Sequence, residues 1–229
     1  MDFSIRADLP ELLDQPDIAA SDIQRNLYEL SVINHQLGGH AITLEGFFSL
    51  AKKETHIHVC EIGCGGGDNL KQIEKKAVRK NIDLTITGID INSECINVAK
   101  KLSWDSPSRF IVSDYRKVEF SSKPDIIYSS LFCHHFKDAE LVTMFRWMRS
   151  NSRSGFFIND LHRNPVAYHA IRFLTRLFSR SHLVKHDAPV SVLRGFKKKE
   201  LKDLFKSSGI SNYTIRWKWA FRWLIIVRS

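Results

Sequence analysis

Residues 61 to 68 read Glu-Ile-Gly-Cys-Gly-Gly-Gly-Asp, and glycines at that spacing after a short apolar run can hold a small ligand against bare backbone. The segment Val59–Asn69 reads as a strand turning into a helix. Glycine lets the chain turn sharply and leaves room for a ligand. The helix start offers free N–H groups and the positive end of a dipole. Dinucleotide sites use Gly-x-Gly-x-x-Gly, which would put glycine at position 68, but Asp68 stands there. Its carboxylate repels a pyrophosphate docked on that helix start. A ligand bearing an ammonium and a sulfonium is instead favoured by Glu61 and Asp68, and a carboxylate on it can take the N–H groups of the turn.

Two further acids extend the pattern. Asp90 closes the next apolar run, 23 residues after Gly67, where a carboxylate can accept both hydroxyls of a ribose. Asp114 follows the third run, in Val112-Ser113-Asp114-Tyr115, placed to accept an adenine amino group. With these residues in order, the chain from about 56 to 229 resembles the class I S-adenosylmethionine-dependent methyltransferases of small-molecule type. Glu61, Gly63, Gly65 and Gly67 match the first motif of that family, Asp90 the ribose ligand and Asp114-Tyr115 the adenine station. Asp125–Leu131 with His134-His135-Phe136 matches the fourth-strand motif. The resemblance implies S-adenosylmethionine as cofactor, held by Glu61, Gly63, Cys64, Gly65, Gly67, Asn69, Asp90, Ile91, Asp114, Tyr115, Ser130 and Leu131. Leu37-Gly38-Gly39 and Asn159–Arg163 resemble a bacterial subgroup whose genes often lie near polyketide or quinone-type biosynthesis genes.

Methyl transfer from an activated sulfonium rests on positioning and desolvation. A base is needed only where the acceptor must lose a proton. His134, His135, Asp160 and His162 are the candidate bases, since they follow the fourth and fifth apolar runs. No metal site is expected, because Cys133-His134-His135 is too compact to supply a tetrahedral set alone. The Asn/Asp-Pro-Pro-Tyr signature of base-methylating enzymes is absent, its place taken by Ser129-Ser130-Leu131-Phe132. Nucleic acid is therefore the disfavoured acceptor. A small, partly apolar acceptor methylated at oxygen or carbon is the first expectation. An RNA methyltransferase and a non-catalytic protein keeping the cofactor fold are the alternatives.

These residues need elements to position them. Short apolar runs at 56–62, 84–89, 109–112, 125–129 and 155–159 alternate with helical stretches at 70–80, 93–102 and 138–149. That rhythm predicts βαβ units, a parallel sheet and helices on both faces. Tyr213, Ile215, Trp217 and Trp219 alternate, and 223–227 is a last apolar run. The fold class expected is a Rossmann-like α/β domain with seven strands, mostly parallel, ending in an antiparallel hairpin. Residues 1–55 read as an N-terminal helical cap before the domain at 56–229. Within it, Ser21 and Gln24 form a capping box for a helix ending at Gly38-Gly39. Asn164-Pro165 opens a helical lid insertion at about 164–195, with 182–195 loop-like. In the lid, Ile171, Phe173, Leu174, Leu177 and Phe178 are placed to line an apolar pocket. Arg172, Arg176 and Arg180 form a basic stripe suited to an anionic group or carrier protein. Charge is uneven: net +9 overall, but from Met144 onward 18 Lys and Arg stand against 4 Asp and Glu. Four cysteines without paired spacing read as reduced thiols. With no apolar run near the ~20 residues of a membrane span, a cytoplasmic protein is expected.

Overall fold

The computed structural model describes residues 2–15, 17–51 and 55–229. The apolar runs become strands: β1 (His56–Ile62), β2 (Asp83–Asp90), β3 (Ser108–Val112), β4 (Ile126–Ser130), β5 (Gly155–Leu161), β6 (Tyr213–Lys218) and β7 (Arg222–Arg228). They form one sheet in the order β3-β2-β1-β4-β5-β7-β6. The first five are parallel, while β7 runs antiparallel to both β5 and β6. This is the expected fold class, including the terminal hairpin. The helices are α1 (Ala20–Gln36), α2 (Gly39–Leu50), α3 (Asp68–Val78), α4 (Ser93–Lys101), α5 (Asp138–Asn151), α6 (Pro165–Phe178), α7 (His182–Arg194) and α8 (Lys198–Ser207). The strand order reverses between β1 and β4. Ligands of open α/β sheets bind at such switch points, beyond the carboxyl ends of the strands. The glycine turn leaves β1 there.

The central strands are buried on both faces, so they read as continuous apolar runs rather than alternating ones. One face packs Met144, Phe145, Phe156 and Phe205 under α5 and α8. The other packs Phe47, Ile73, Tyr128 and Phe157 under α2 and α3. α2 has no counterpart in the sequence reading. Gly38 ends α1 in a left-handed turn at φ 75°, but Gly39 immediately opens the next helix. Ile42, Phe47 and Leu50 of α2 are buried, and a helix apolar most of the way round leaves no stripe to read.

Two other boundaries differ. α1 starts at Ala20, and its N-cap Ala19 makes no side-chain bond, so the Ser21–Gln24 capping box does not form. Residues 182–194 are helix rather than loop, with Pro189 inside. Proline costs that helix one ladder hydrogen bond. Burial of Leu183, Val184, Val190, Val192 and Leu193 offsets it. Asn164 caps α6 as expected, its Oδ1 accepting from the Val166 N–H at 2.8 Å.

The N-terminal residues form a strap across α7 and the loop after β4. Ala7 N–H donates to Leu193 O at 3.2 Å. The Arg6 guanidinium donates to His134 O and Phe136 O. Arg194 donates to His134 O and His135 O. Leu12 and Leu13 N–H groups donate to the Asp187 carboxylate at 2.8 and 3.0 Å.

Candidate functional site

The turn after β1 is built by three contacts. Gly63 sits at φ 66°, and a Cβ there would lie 2.2 Å from the Phe132 ring. Gly63 and Cys64 N–H groups donate to Ile89 O, tying the turn to the end of β2. Asp90 accepts from the Gly65 N–H through Oδ2 and from the Asn92 N–H through Oδ1, both at 2.9 Å. Across the turn, Leu131 closes β4 at φ 53°, a left-handed conformation that costs a branched residue roughly 1–2 kcal/mol. Its N–H donates to Asn159 O at 2.9 Å. Phe132 follows, with its ring against Gly63.

The carboxylates here are short of positive charge. Glu61 is 1% exposed and accepts a hydrogen bond from Tyr128 OH at 2.9 Å. Burial, then repulsion from Asp68, pushes its pKa well up. Burial raises Asp90 as well, against the pull of its backbone donors. Asp68 meets His40 Nε2 at 2.7 Å, and Asn34 bridges Asp68 and Asn69 at 3.4 and 3.3 Å.

Beside them lies a buried cluster of unpaired polar atoms. Asn34 Oδ1, His40 Nδ1, Asn159 Oδ1 and Arg222 Nη1 are buried without a hydrogen-bond partner. They gather round Gly39: a Cβ on it would touch both Asn34 Oδ1 and Arg222 Nη1, and its carbonyl accepts from Asn159 Nδ2 at 3.1 Å. Ser130 joins through Asn159 Nδ2 at 3.3 Å. Burial lowers Arg222 to about 10, with Asp160 and Asp68 opposing that shift. Each unmet buried polar group costs about 1–3 kcal/mol, so this set fits a polar ligand with both donors and acceptors.

The candidate bases divide. His134 and Asp160 meet, Nδ1 to Oδ1 at 2.7 Å. His134 is 2% exposed and Asp160 0%, so Asp160 faces the imidazole rather than an open site. His134 Nε2 lies 3.4 Å from Glu11 Oε1 on the strap, and His135 Nε2 lies 3.7 Å from Glu11 Oε2. Burial would push the His134 pKa down, but Asp160 and Glu11 outweigh it and hold it up at about 9. Burial would raise Glu11, but His134, His135 and Ser191 bring it down to about 2. His162 is apart from this group: it accepts from Trp217 Nε1 at 3.3 Å beside the hairpin.

After β3, the Asp114 carboxylate is held by Arg116 through two nitrogens. Tyr115 is buried against Phe136 and Trp147 rather than turned to the open side. Ile91 is 75% exposed beyond β2. The apolar lid residues are placed otherwise than expected. Phe173, Leu174, Leu177 and Phe178 face solvent, while Ala167, Tyr168 and Thr175 face inward. Arg176 and Arg180 are exposed and Arg172 is half-buried. Glu11, Asn34, His40 and Arg222 were not singled out from the sequence. No local motif marks them: Glu11, Asn34 and His40 meet partners 28 to 180 positions away, and Arg222 reaches Gly39 from the far end of the chain. A groove of ≈ 350 Å³ lies at the amino edge of the sheet, lined by His56, His58, Thr85, Thr87, Arg109 and Arg153 among others. It is remote from the glycine turn, which Leu27 of α1 and Phe132 cover.

A sequence family described as "Methyltransferase domain" matches residues 59–155. Those residues carry the methyltransferase domain of that family. Solved structures agree on the fold. The plantazolicin methyltransferase BpumL, in complex with SAH, is 16% identical, with a TM-score of 0.67 over 92% of this chain and 94% of that one. Human N-acetylserotonin methyltransferase is 16% identical, with a TM-score of 0.64 over 92% of this chain and 56% of that one. Magnesium protoporphyrin IX methyltransferase from Synechocystis is 14% identical, with a TM-score of 0.57 over 92% of each chain. No curated protein matches the chain. These neighbours were solved with S-adenosylmethionine or its demethylated product SAH, and the donor set here fits such a ligand. The buried carboxylates suit an ammonium and a sulfonium, and the turn's N–H groups and Arg222 suit a carboxylate. Among the described residues, no helix is long and apolar enough to cross a membrane.

Proposed function

We propose that the domain methylates a small, partly apolar acceptor at oxygen or carbon. The observation that carries this reading is the roof over the carboxyl edge of the sheet. The strap, α7 and α1 cover it, tied by Arg6, Arg194 and Asp187. A roofed site excludes water from the displacement and suits a small molecule better than a duplex. The neighbours named for N-acetylserotonin and magnesium protoporphyrin IX support the same class of acceptor.

In this reading Glu61 and Asp68 take the cofactor's ammonium, Gly63, Cys64, Gly65 and Gly67 give backbone to its methionine part, and Asn69 orders Glu61. Asp90 takes the ribose, while Ile91, Asp114 and Tyr115 border the adenine. Ser130 and Leu131 lie beside the sulfonium, which supplies an activated methyl group. His135, 20% exposed at its side chain, is the group best placed to accept an acceptor's proton. His134 and Asp160 fix its loop, and His162 stands at the hairpin side of the same edge.

The test is a screen of phenols, enols and amines with isotopically labelled S-adenosylmethionine, read by mass spectrometry. Label on a phenol or enol is expected. Label only on amines, or only on RNA added to the same screen, overturns the proposal. Titration calorimetry with the demethylated cofactor, run alongside, separates a failed acceptor choice from a domain that binds no cofactor.

A second reading concerns delivery. α6 presents Phe173 and Phe178, 65% and 74% exposed, beside Arg176 and Arg180. This face supports docking of an acidic carrier protein that brings the acceptor. Arg176→Glu with Arg180→Glu should lower kcat/KM about tenfold for a carrier-linked acceptor and leave the free acceptor unaffected. Equal effects on both would sink the docking role.

A further inference from the structure

We propose that Glu11, His134 and His135 form a binding site for a divalent first-row transition ion of the zinc and iron(II) class. The three side chains offer one carboxylate oxygen and two imidazole nitrogens, all within 4.8 Å of one another. Zinc bonds of about 2.0–2.1 Å in a tetrahedral set place neighbouring ligand atoms about 3.3 Å apart. Here Glu11 Oε1 is 3.4 Å from His134 Nε2, and Glu11 Oε2 is 3.7 Å from His135 Nε2. Bringing the widest pair of the set, which lies within 4.8 Å, to that spacing takes a movement of up to about 1.5 Å, within reach of side-chain rotation at Glu11 and His135.

Three features distinguish this cluster from an ordinary ion pair. First, His134 Nε2 is buried and makes no well-formed hydrogen bond, although it points at Glu11. Second, each histidine has a carboxylate behind its other nitrogen. Asp160 is 2.7 Å from His134 Nδ1, and Asp14 is 3.3 Å from His135 Nδ1. Metal-binding histidines are commonly oriented in this way, with the far nitrogen donating to a carboxylate so that the near one presents its lone pair. Third, Ser191 Oγ donates to Glu11 Oε1 at 2.8 Å, which fixes the third ligand.

Two nitrogens and one oxygen suit zinc, iron(II) or cobalt(II) better than magnesium or calcium, which prefer all-oxygen sets. The ligands come from the strap and from the turn after β4, segments more than a hundred residues apart. A bound ion therefore pins the strap to the carboxyl edge of the sheet. Three protein ligands leave one position open on a tetrahedral ion. A bound ion occupies His135 Nε2 and so replaces the base role proposed for that side chain above; the test of the site does not use methyl transfer.

The experiment uses full-length protein without a histidine tag, dialysed against chelator. It is titrated with zinc by calorimetry and with cobalt(II) by visible absorption. One equivalent of each should bind, and cobalt should give the intense d–d bands of a four-coordinate site. Glu11→Gln and His135→Ala should each weaken binding at least tenfold. Far-ultraviolet circular dichroism and retained binding of the demethylated cofactor confirm that the variants fold. His58→Ala, which alters the groove at the opposite edge, should bind as the parent does. Zinc should also slow tryptic cleavage after Arg6 in the parent but not in Glu11→Gln. The proposal is overturned if neither ion binds stoichiometrically. It is equally overturned if both ligand variants bind as tightly as the parent, or if His58→Ala is the variant that loses the ion.

Discussion

At the residue scale, two positions show how the turn after β1 holds its shape. Gly63 has both a left-handed φ and the Phe132 ring against it. Gly63→Ala should cost about 2–4 kcal/mol, from strain and displacement of that ring. A thermal melt checks this: an unchanged midpoint would mean that Phe132 swings away freely. Asp90 holds the Gly65 and Asn92 N–H groups and is the residue proposed to take the ribose. Hydrogen bonds to a charged group are each worth about 1.5–3 kcal/mol. Asp90→Ala should therefore weaken the demethylated cofactor at least tenfold by calorimetry, and unchanged affinity would remove Asp90 from the site. Both residues were legible in the sequence, because a glycine turn and a strand-end acid are local patterns. Asp68 was legible only in part. Its sign argues against a phosphate, but its hydrogen bond with His40 depends on α2, for which the sequence shows no stripe. Glu11 and Arg222 were not legible, since each gains its meaning from a partner brought near by the sheet.

At the element scale, the strap is the part most exposed to titration. His134 is held up at about 9 by Asp160 and Glu11, against burial. A raised imidazole contributes its full stability below its ordinary pKa of about 6.5 and loses it as pH rises through about 9. Glu11, held down to about 2, contributes above the ordinary carboxylate range and loses that only in strong acid. In chelator, stability should thus fall between pH 6.5 and 9, by no more than about 3 kcal/mol. In Glu11→Gln, where one carboxylate partner is gone, the fall should be shallower. Urea midpoints of the two proteins across that window decide it, and parallel curves would show that Glu11 does not hold the charge. The alternating strands and helices were readable because each has its own period. The strap was not: its bonds run from backbone and guanidinium groups to α7, and no periodicity records them. α7 itself was hidden by Pro189, whose local cost is offset only by burial visible in three dimensions.

At the scale of the whole molecule, charge and apolar surface are segregated together. The surplus of Lys and Arg after Met144 falls on the half that carries α6 and the hairpin. There Phe173, Leu177 and Phe178 stand in solvent, with Trp217 and Trp219 exposed on the hairpin side. Helical spacing alone placed the α6 residues against a pocket. The pattern gives an apolar stripe but not its direction, and Ala167, Tyr168 and Thr175 take the inward side instead. The two placements differ in energy by an amount that a melt can resolve. Emptying a buried Leu or Phe costs about 2–5 kcal/mol, whereas exposed positions away from special features change stability by about 0.5 kcal/mol or less. The double variant Phe173→Ser, Leu177→Ser should therefore melt within a few degrees of the parent, with binding of the demethylated cofactor intact. A fall in the melting midpoint of ten degrees or more would mean that α6 turns its apolar side inward in solution. The outward face would then be lost as a docking surface, and the lid would close over the acceptor through those same side chains.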